Sequence, residues 1–589
     1  MRDAFSVRIN FNGVPHLLPA ELTFTYPEQI IVATTVEEVI PALKQIEAAA
    51  ADGKWCAGWI TYEAAPAFDS AMPAATPDAP LVWFGIYGAP CLPTYSDHTS
   101  DLQAMEWCPA IQRDRYDNAI TSIRDAIERG DVYQANFTFA LNSHTSCPPE
   151  AIYNRLVAQS ACGYAALIKT DEISVLSLSP ELFFSIQKNA DTGERTITTR
   201  PMKGTRTRGR FALEDTALKN ELLASEKDRA ENIMIVDLLR NDLGRVAQFG
   251  TVQVDTLFDI EPYPTVWQMT SSISAELRPE AGLTDVFRAL FPCGSVTGAP
   301  KIASMRLLNA LEQGPRGPYC GAIGVVKPGG EAVFNVAIRT MTIDGEGNAC
   351  YRVGGGITYD SGAEAEYQEA LAKAAVVADL APDFELIETF RIENGHVAHL
   401  EAHLDRIAVS AAALGFRFDS ESVELTIGAV ATLHAEGCKR ARLRLNRAGE
   451  AIVEASALVD HPANPRFRLA KHSVNSADRF LFHKTTRRAV YESAAADYPD
   501  CWEVLLWNEN GELTEFTRGN LVLELGGQKR TPTLRCGLLP GVLRSELLAK
   551  GDISEAILTP GHLAAASRIW FINSLRGWIE IRPEGILPA

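Results

Sequence analysis

The chain has 589 residues, enough for more than one core at about 150 residues per domain, and its 46% hydrophobic and 22% charged residues indicate a folded globular protein. Seventy-four acidic against 55 basic residues give a net charge of −19, which argues against nucleic acid or an anionic membrane surface as partner. No run approaches the roughly 18 apolar residues of a membrane span, Met1-Arg2-Asp3-Ala4-Phe5-Ser6 lacks a signal-peptide core, and eleven scattered cysteines form no CxxC pair, so a cytoplasmic protein is expected.

In chain order, the first chemistry-bearing segment is Thr199-Arg200-Pro201-Met202-Lys203-Gly204-Thr205-Arg206. It reads as a strand running into a turn. Like charges lower an amine pKa, so Lys203 between arginines fits a nucleophile, and it fits a surface lysine in a basic turn as well. Residues 225–242 then read as a helix. Positions 231, 235 and 238 share one face, so Glu231 should turn inward, where it needs a salt bridge or a metal. Gly294-Ser295-Val296-Thr297-Gly298-Ala299-Pro300-Lys301 fails the phosphate-loop spacing, and Gly354-Gly355-Gly356 is no dinucleotide fingerprint because position 359 is Tyr. The glycine run leads into a helix where Glu366, Glu369 and Lys373 share a face. That face suits a hard cation such as magnesium, or a solvated surface with Glu–Lys pairs.

A boundary is expected where the helix over 367–380 stops at Ala381-Pro382-Asp383 and a strand begins at 384–391. This gives domains 1–380 and 381–589, both α+β or α/β. His399 and His403 stand at i, i+4, but Glu401 is misplaced for HExxH, so His403 reads better with Arg406. Lys484 follows an aromatic run. Asn510-Gly511 marks a hairpin turn within 505–520, and the glycine turn of 537–544 opens a helix whose amides could hold a phosphate. Pattern alone leaves Lys484 as a surface lysine or a functional one.

The ordered blocks at 130–136, 178–181, 201–206, the Glu231 helix, 291–301, 316–319, 335–340 and 354–373 resemble the chorismate-utilising enzymes, most closely their aminodeoxychorismate-forming group. Gly58-Trp59-Ile60-Thr61-Tyr62-Glu63 resembles that family's amino-terminal region. The resemblance implies a large β-sandwich with helices. It implies that Glu231 and Glu366, with Glu369 nearby, hold Mg2+ against the ring carboxylate of chorismate. It casts Glu181 as the acid for the departing 4-hydroxyl, and Tyr319, Arg339, Ser295 and Gly355 as holders of the substrate carboxylates. Gln134 stands where water-adding relatives carry a lysine base, which argues against isochorismate formation. Lys203 stands where anthranilate-forming relatives carry alanine. It is expected to add at ring carbon 2 before ammonia attacks carbon 4. Two positions depart from the pattern: Gln268 replaces a histidine and Arg306 a glutamate.

Residues 384–580 resemble the class IV aminotransferases, a two-subdomain pyridoxal phosphate fold, and among them the aminodeoxychorismate lyases. The matching residues are Glu388-Thr389, His403 to Arg406, His483 to Thr485, Glu515 to Asn520, Leu538 to Arg544 and 571–576. The resemblance implies Lys484 as the lysine that carries pyridoxal 5'-phosphate. Glu515 would face the pyridine nitrogen, and Arg406, the amides of Val542 and Leu543, and Ser574 would clamp the phosphate. Family membership does not separate lyase from transaminase. The first half would make what the second consumes: chorismate and ammonia to 4-amino-4-deoxychorismate, then 4-aminobenzoate and pyruvate, a folate precursor route. No Gly-x-Cys-x-Gly elbow is present, so ammonia is expected from a separate glutamine amidotransferase subunit. A homodimer through the second half is left open. The competing readings are an anthranilate-type synthase fused to a class IV transaminase, and a scaffold that only recruits the glutaminase.

Overall fold

A computed structural model describes residues 5–14, 16–91, 102, 105–160, 162–263, 266–378 and 384–585. The stop expected at Leu380 to Asp383 lies outside the described residues. The chain divides into two compact units. One is Met1–Thr207 with Lys219–Pro382; the other is Asp383–Ala589 with Arg208–Leu218. A single cut therefore does not describe the division. Arg208–Leu218 follows Lys203 closely in sequence yet is built into the second unit. There Phe211 packs on Phe482 with ring centroids 5.7 Å apart, and Arg210 donates to the Ser476 carbonyl at 3.2 Å.

The first unit has a nine-stranded and a ten-stranded sheet. Alternation builds its layers, because successive residues of a strand face opposite sides. On the strand Tyr164–Lys169, Ala165 and Leu167 join one apolar cluster, while Tyr164, Ala166 and Ile168 join another. On Trp55–Ile60 of the other sheet, Ala57 and Trp59 enter that second cluster, and Cys56 and Ile60 enter a third. The shared cluster lies between the sheets, where Trp59 and Trp83 stack at 5.2 Å. The helices Arg113–Glu128 and Pro149–Ser160 cover one outer face, and Val36–Ala51 and Glu226–Gly244 the other. Gly58 has no alternative, since a Cβ there would stand 1.9 Å from the Trp83 carbonyl oxygen.

The second unit pairs a four-stranded sheet with a nine-stranded one. In the smaller sheet, Leu386–Glu393 pairs with Cys438–Leu445, and the helices Leu400–Leu414 and Ser420–Leu433 pack on one face. The larger sheet carries the antiparallel pair Glu503–Trp507 and Leu513–Phe516, with Gly511 at φ +76° in the connecting turn. Among the described residues no helix is long and apolar enough to cross a membrane.

Candidate functional site

In the first unit, the register between Met202–Thr207 and Val266–Glu276 slips between Met202 and Thr205. Gly204, at φ +93°, supplies the left-handed residue that such a bulge needs, and the bulge re-aims Lys203. Lys203 thus sits on a strand, where the sequence suggested a turn. Two side chains hold the strand. The Gln268 side chain donates to the Gly204 carbonyl at 2.9 Å and accepts from the Thr205 hydroxyl at 2.9 Å. Asn232 donates to the Lys203 carbonyl at 3.4 Å and is itself fixed by Ser271 at 2.7 Å. Gln268, one of the two departures from the family pattern, therefore clamps Gly204 and Thr205, next to Lys203. Arg306, the other, is exposed.

The amine of Lys203 has its pKa lowered by burial, while Glu231, Glu181 and Glu369 work to raise it and Lys373 to lower it. The flanking arginines are not the cause, which corrects the sequence-based reason. Arg206 bridges Glu221 at 2.9 Å and Asp228 at 3.0 Å, and Arg200 pairs with Glu261. Gly356 lets Lys203 and Gln134 converge. A Cβ there would lie 1.9 Å from the Gln134 amide nitrogen and 2.8 Å from the Lys203 Nζ. Among the described residues the buried Gln134 Oε1 has no hydrogen-bond partner.

Glu181 is buried, and burial pushes its pKa up to about 7 against the Ser295 hydroxyl, which donates to it at 2.7 Å. Glu231 is half-buried and raised, first by burial; Glu366 also acts on it. Glu366 accepts from Ser361 at 2.7 Å and stands over Gly355, 3.4 Å from where a Cβ would be. Glu369 bridges Lys373 at 3.0 Å, which holds its carboxyl below the usual range. Among the described residues no group of three or more His, Cys, Asp or Glu side chains is gathered closely enough to hold a metal alone. Magnesium is commonly held by one or two carboxylates plus substrate oxygens and water. Glu231 and Glu366, two mutually repelling carboxylates, fit that pattern; Glu369 is already engaged.

Arg339 takes φ +50°, a left-handed backbone that costs a non-glycine residue energy. It acts electrostatically on Tyr263, whose hydroxyl donates to the Pro180 carbonyl beside Glu181. Tyr319 is buried, and burial raises its pKa well above the ordinary value. Arg316 is a residue that motif reasoning left without a role. It bridges Glu312 at 2.7 Å, stacks over Tyr62, and donates to the carbonyls of Val296 and Asn136 at 2.8 Å each. One buried guanidinium thereby ties the Ser295 turn to the Gln134 strand. The sequence signal was an arginine four residues after Glu312.

In the second unit, a cavity of about 730 Å³ contains Lys484. Burial, then Arg406 and Arg488, lower its pKa to about 8. Glu515 is buried, and burial pushes it up to about 7 although Tyr491 donates to it at 2.8 Å and the Leu539 amide at 3.1 Å. Asn520, its cross-strand partner, donates at 3.3 Å. Burial would raise Glu388, but Arg406 and His403 hold it at about 2; the contacts are 2.5 Å and 2.7 Å. Burial lowers the His403 pKa, so the neutral ring hydrogen-bonds Glu388 and fixes the carboxylate that holds Arg406, and His399 contacts Glu546 at 3.0 Å. Val542 and Ser574 line the cavity, where the helix Val542–Lys550 begins. The Leu543 side chain packs away from it, beside Val522 and Ile572. These residues fit pyridoxal phosphate: an amine about half neutral at pH 8, a buried carboxyl, a helix N-terminus and an arginine.

Residues 19–379 match the family model of chorismate binding enzymes, and residues 385–583 that of amino-transferase class IV. An aminodeoxychorismate synthase of Streptomyces griseus is 41% identical over 263 residues, 45% of this chain and 36% of that protein. An aminodeoxychorismate synthase component 1 of Klebsiella aerogenes is 36% identical over 297 residues, 50% of this chain and 63% of that protein. The chain thus spans between about a third and two thirds of these relatives' length. Anthranilate synthase component I from Streptococcus pneumoniae shares the fold at 24% identity and a TM-score of 0.51, over 63% of this chain and 90% of that one.

Proposed function

We propose that this chain, which belongs to the chorismate binding enzymes and carries a class IV amino-transferase region, converts chorismate to 4-aminobenzoate in two steps. The observation that carries the reading is Lys203, a part-buried amine on a bulged strand, converging with Gln134 over Gly356 and faced by Glu231 and Glu181.

In the first step, Tyr319, Arg339, Ser295 and Gly355 orient the substrate carboxylates, an Arg fork being suited to a carboxylate. Glu231 and Glu366, with Glu369 beside them, would hold Mg2+, which supplies positive charge against the ring carboxylate. The Lys203 amine forms a bond to ring carbon 2 as the bond from carbon 4 to its hydroxyl breaks. Glu181, whose pKa of about 7 leaves a protonated fraction near neutrality, gives that hydroxyl its proton. Ammonia then bonds to carbon 4, and the Lys203 nitrogen leaves carbon 2 with its electron pair. The product is 4-amino-4-deoxychorismate. Ammonia comes from a separate glutamine amidotransferase subunit.

In the second step, pyridoxal phosphate supplies an electron sink when bound. Glu515 would keep the pyridine nitrogen protonated, and Arg406, the amides of Val542 and Leu543, and Ser574 would hold the phosphate. Lys484 takes the proton from ring carbon 4. The bond from carbon 3 to the enolpyruvyl oxygen breaks with its electron pair, the ring becomes aromatic, and the departing enolpyruvate takes the proton held by Lys484 to become pyruvate. A cytoplasmic setting accords with eleven free cysteines. Pairing of two chains through the second unit belongs to the same reading, and sedimentation tests it.

The experiment is to supply chorismate, magnesium and ammonium and identify the products by mass. Equimolar 4-aminobenzoate and pyruvate is the expected result. 2-Aminobenzoate would establish an anthranilate-type synthase instead, and no turnover a scaffold.

A further inference from the structure

The cavity around Lys484 is lined by far more positive charge than a cofactor phosphate requires. Seven arginines and Lys484 face it, against the two carboxylates Glu503 and Glu515. Several of the arginines are occupied. Arg406 is held by Glu388, Arg518 by Glu503 at 2.6 Å, Arg488 by the Thr517 carbonyl at 2.8 Å, and Arg487 stacks on Phe480.

Arg440, Arg442 and Arg576 are different. On the strand Cys438–Leu445, Ala441, Leu443 and Leu445 enter the apolar core, so Arg440, Arg442 and Arg444 line up on the opposite face. Arg444 reaches Glu385 at 3.4 Å. Among the described residues neither Arg440 nor Arg442 has an ion pair, although Glu454 lies opposite Arg442 in the register, and the Arg442 Nε is buried without a hydrogen-bond partner. Arg576 comes from the larger sheet's side of the cavity. Burial lowers its pKa, as do Arg518 and Arg440, while Asp460 and Glu503 act the other way. The groups acting on Lys484 are Arg406, Arg488, Glu388 and Glu515, a set with no member in common. Like charges in a row on one sheet face are destabilising unless a counter-charge joins them.

We propose that Arg440, Arg442 and Arg576 form an anion subsite that takes a carboxylate of the substrate, so that the cavity selects compounds with two carboxylates over monocarboxylates. The inference rests on the reading of this cavity as the cofactor and substrate site. It names what would set a dianionic substrate apart from an ordinary amino acid there.

The test uses the full chain loaded with pyridoxal phosphate and two ring probes of similar shape, 3-(carboxymethoxy)benzoate with two carboxylates and 3-methoxybenzoate with one. Titration calorimetry should find the first at least ~10-fold tighter, the scale of one charge-assisted contact. R440Q, R442Q and R576Q should each shrink that ratio, and R440Q/R576Q should bring it within about 2-fold. The visible spectrum of the bound cofactor should stay unchanged, which separates lost recognition from lost folding. A wild-type ratio near 1, a ratio that survives in R440Q/R576Q, or equal displacement of both probes by inorganic phosphate would overturn the subsite. If the ratio and its arginine dependence hold while supplied 4-amino-4-deoxychorismate releases no pyruvate, the subsite stands and the lyase reading falls.

Discussion

Two part-buried lysines, one in each unit, meet opposite electrostatics. Lys203 faces Glu231, Glu181 and Glu369, which favour its protonated form against burial. Lys484 faces Arg406 and Arg488, which add to burial and outweigh Glu388 and Glu515, bringing its pKa to about 8. Desolvation lowers both pKa values, and the balance of neighbouring charge, mostly carboxylates at Lys203 and first arginines at Lys484, separates them. The Lys484 amine is therefore ready for an aldehyde in the resting protein.

The largest expected effect separates the two units outright. K203A should reduce 4-amination of chorismate by about 10³-fold or more, with pyruvate release from supplied 4-amino-4-deoxychorismate unchanged. K484A should do the reverse. Separate assays of the two reactions check both, and loss of both activities in either variant would break the comparison.

The carboxylates around Lys203 offer the next. E366Q, or chelation of magnesium, should lower chorismate consumption by about 10²-fold and leave the second reaction intact. Kinetics at several magnesium concentrations should show a higher magnesium requirement in E366Q. A smaller effect is expected from the clamp on the bulge. Q268A removes the side chain that grips Gly204 and Thr205 and should cost about 10-fold in kcat with little change in KM. A variant in which KM alone moves would place Gln268 against the substrate instead.

The smallest concerns pH. Capture of pyridoxal phosphate by cofactor-free protein, fixed with borohydride, needs the neutral amine, so its rate should rise with pH through a midpoint near 8. R488Q removes a like charge, raises the Lys484 pKa and should move the midpoint upward. A midpoint near 10.5 in the wild type would remove the distinction between the lysines.

Much of this was legible in the residues. The helix that carries Glu231 begins at Ser225, whose side chain accepts from the Asp228 amide at 3.2 Å, and the 505–520 hairpin turns at Asn510-Gly511. Local capping and turn chemistry are written in adjacent residues, so they can be read from them. The bulge at Lys203 was not legible as a strand, because Pro201 and Gly204 look like a turn until Val266–Glu276 pairs beside them. The cause of the Lys203 shift was misread for a related reason: sequence neighbours Arg200 and Arg206 are drawn off to Glu261 and to Glu221 and Asp228, while carboxylates remote in sequence move in. Segment Arg208–Leu218 crosses into the second unit with no local marker at all. The arginine row at 440, 442 and 444 alternates with apolar residues at period two, a pattern that was there to be found.

Mixing the two lysine variants tests the central claim most directly. Purified K203A and K484A, each unable to make 4-aminobenzoate from chorismate, magnesium and ammonium, should make it together once combined in one tube. The K484A protein would release 4-amino-4-deoxychorismate, and the K203A protein would convert it to 4-aminobenzoate and pyruvate. No 4-aminobenzoate from the mixture, with each protein folded and the K203A protein holding its cofactor, would contradict the assignment of one reaction to each lysine.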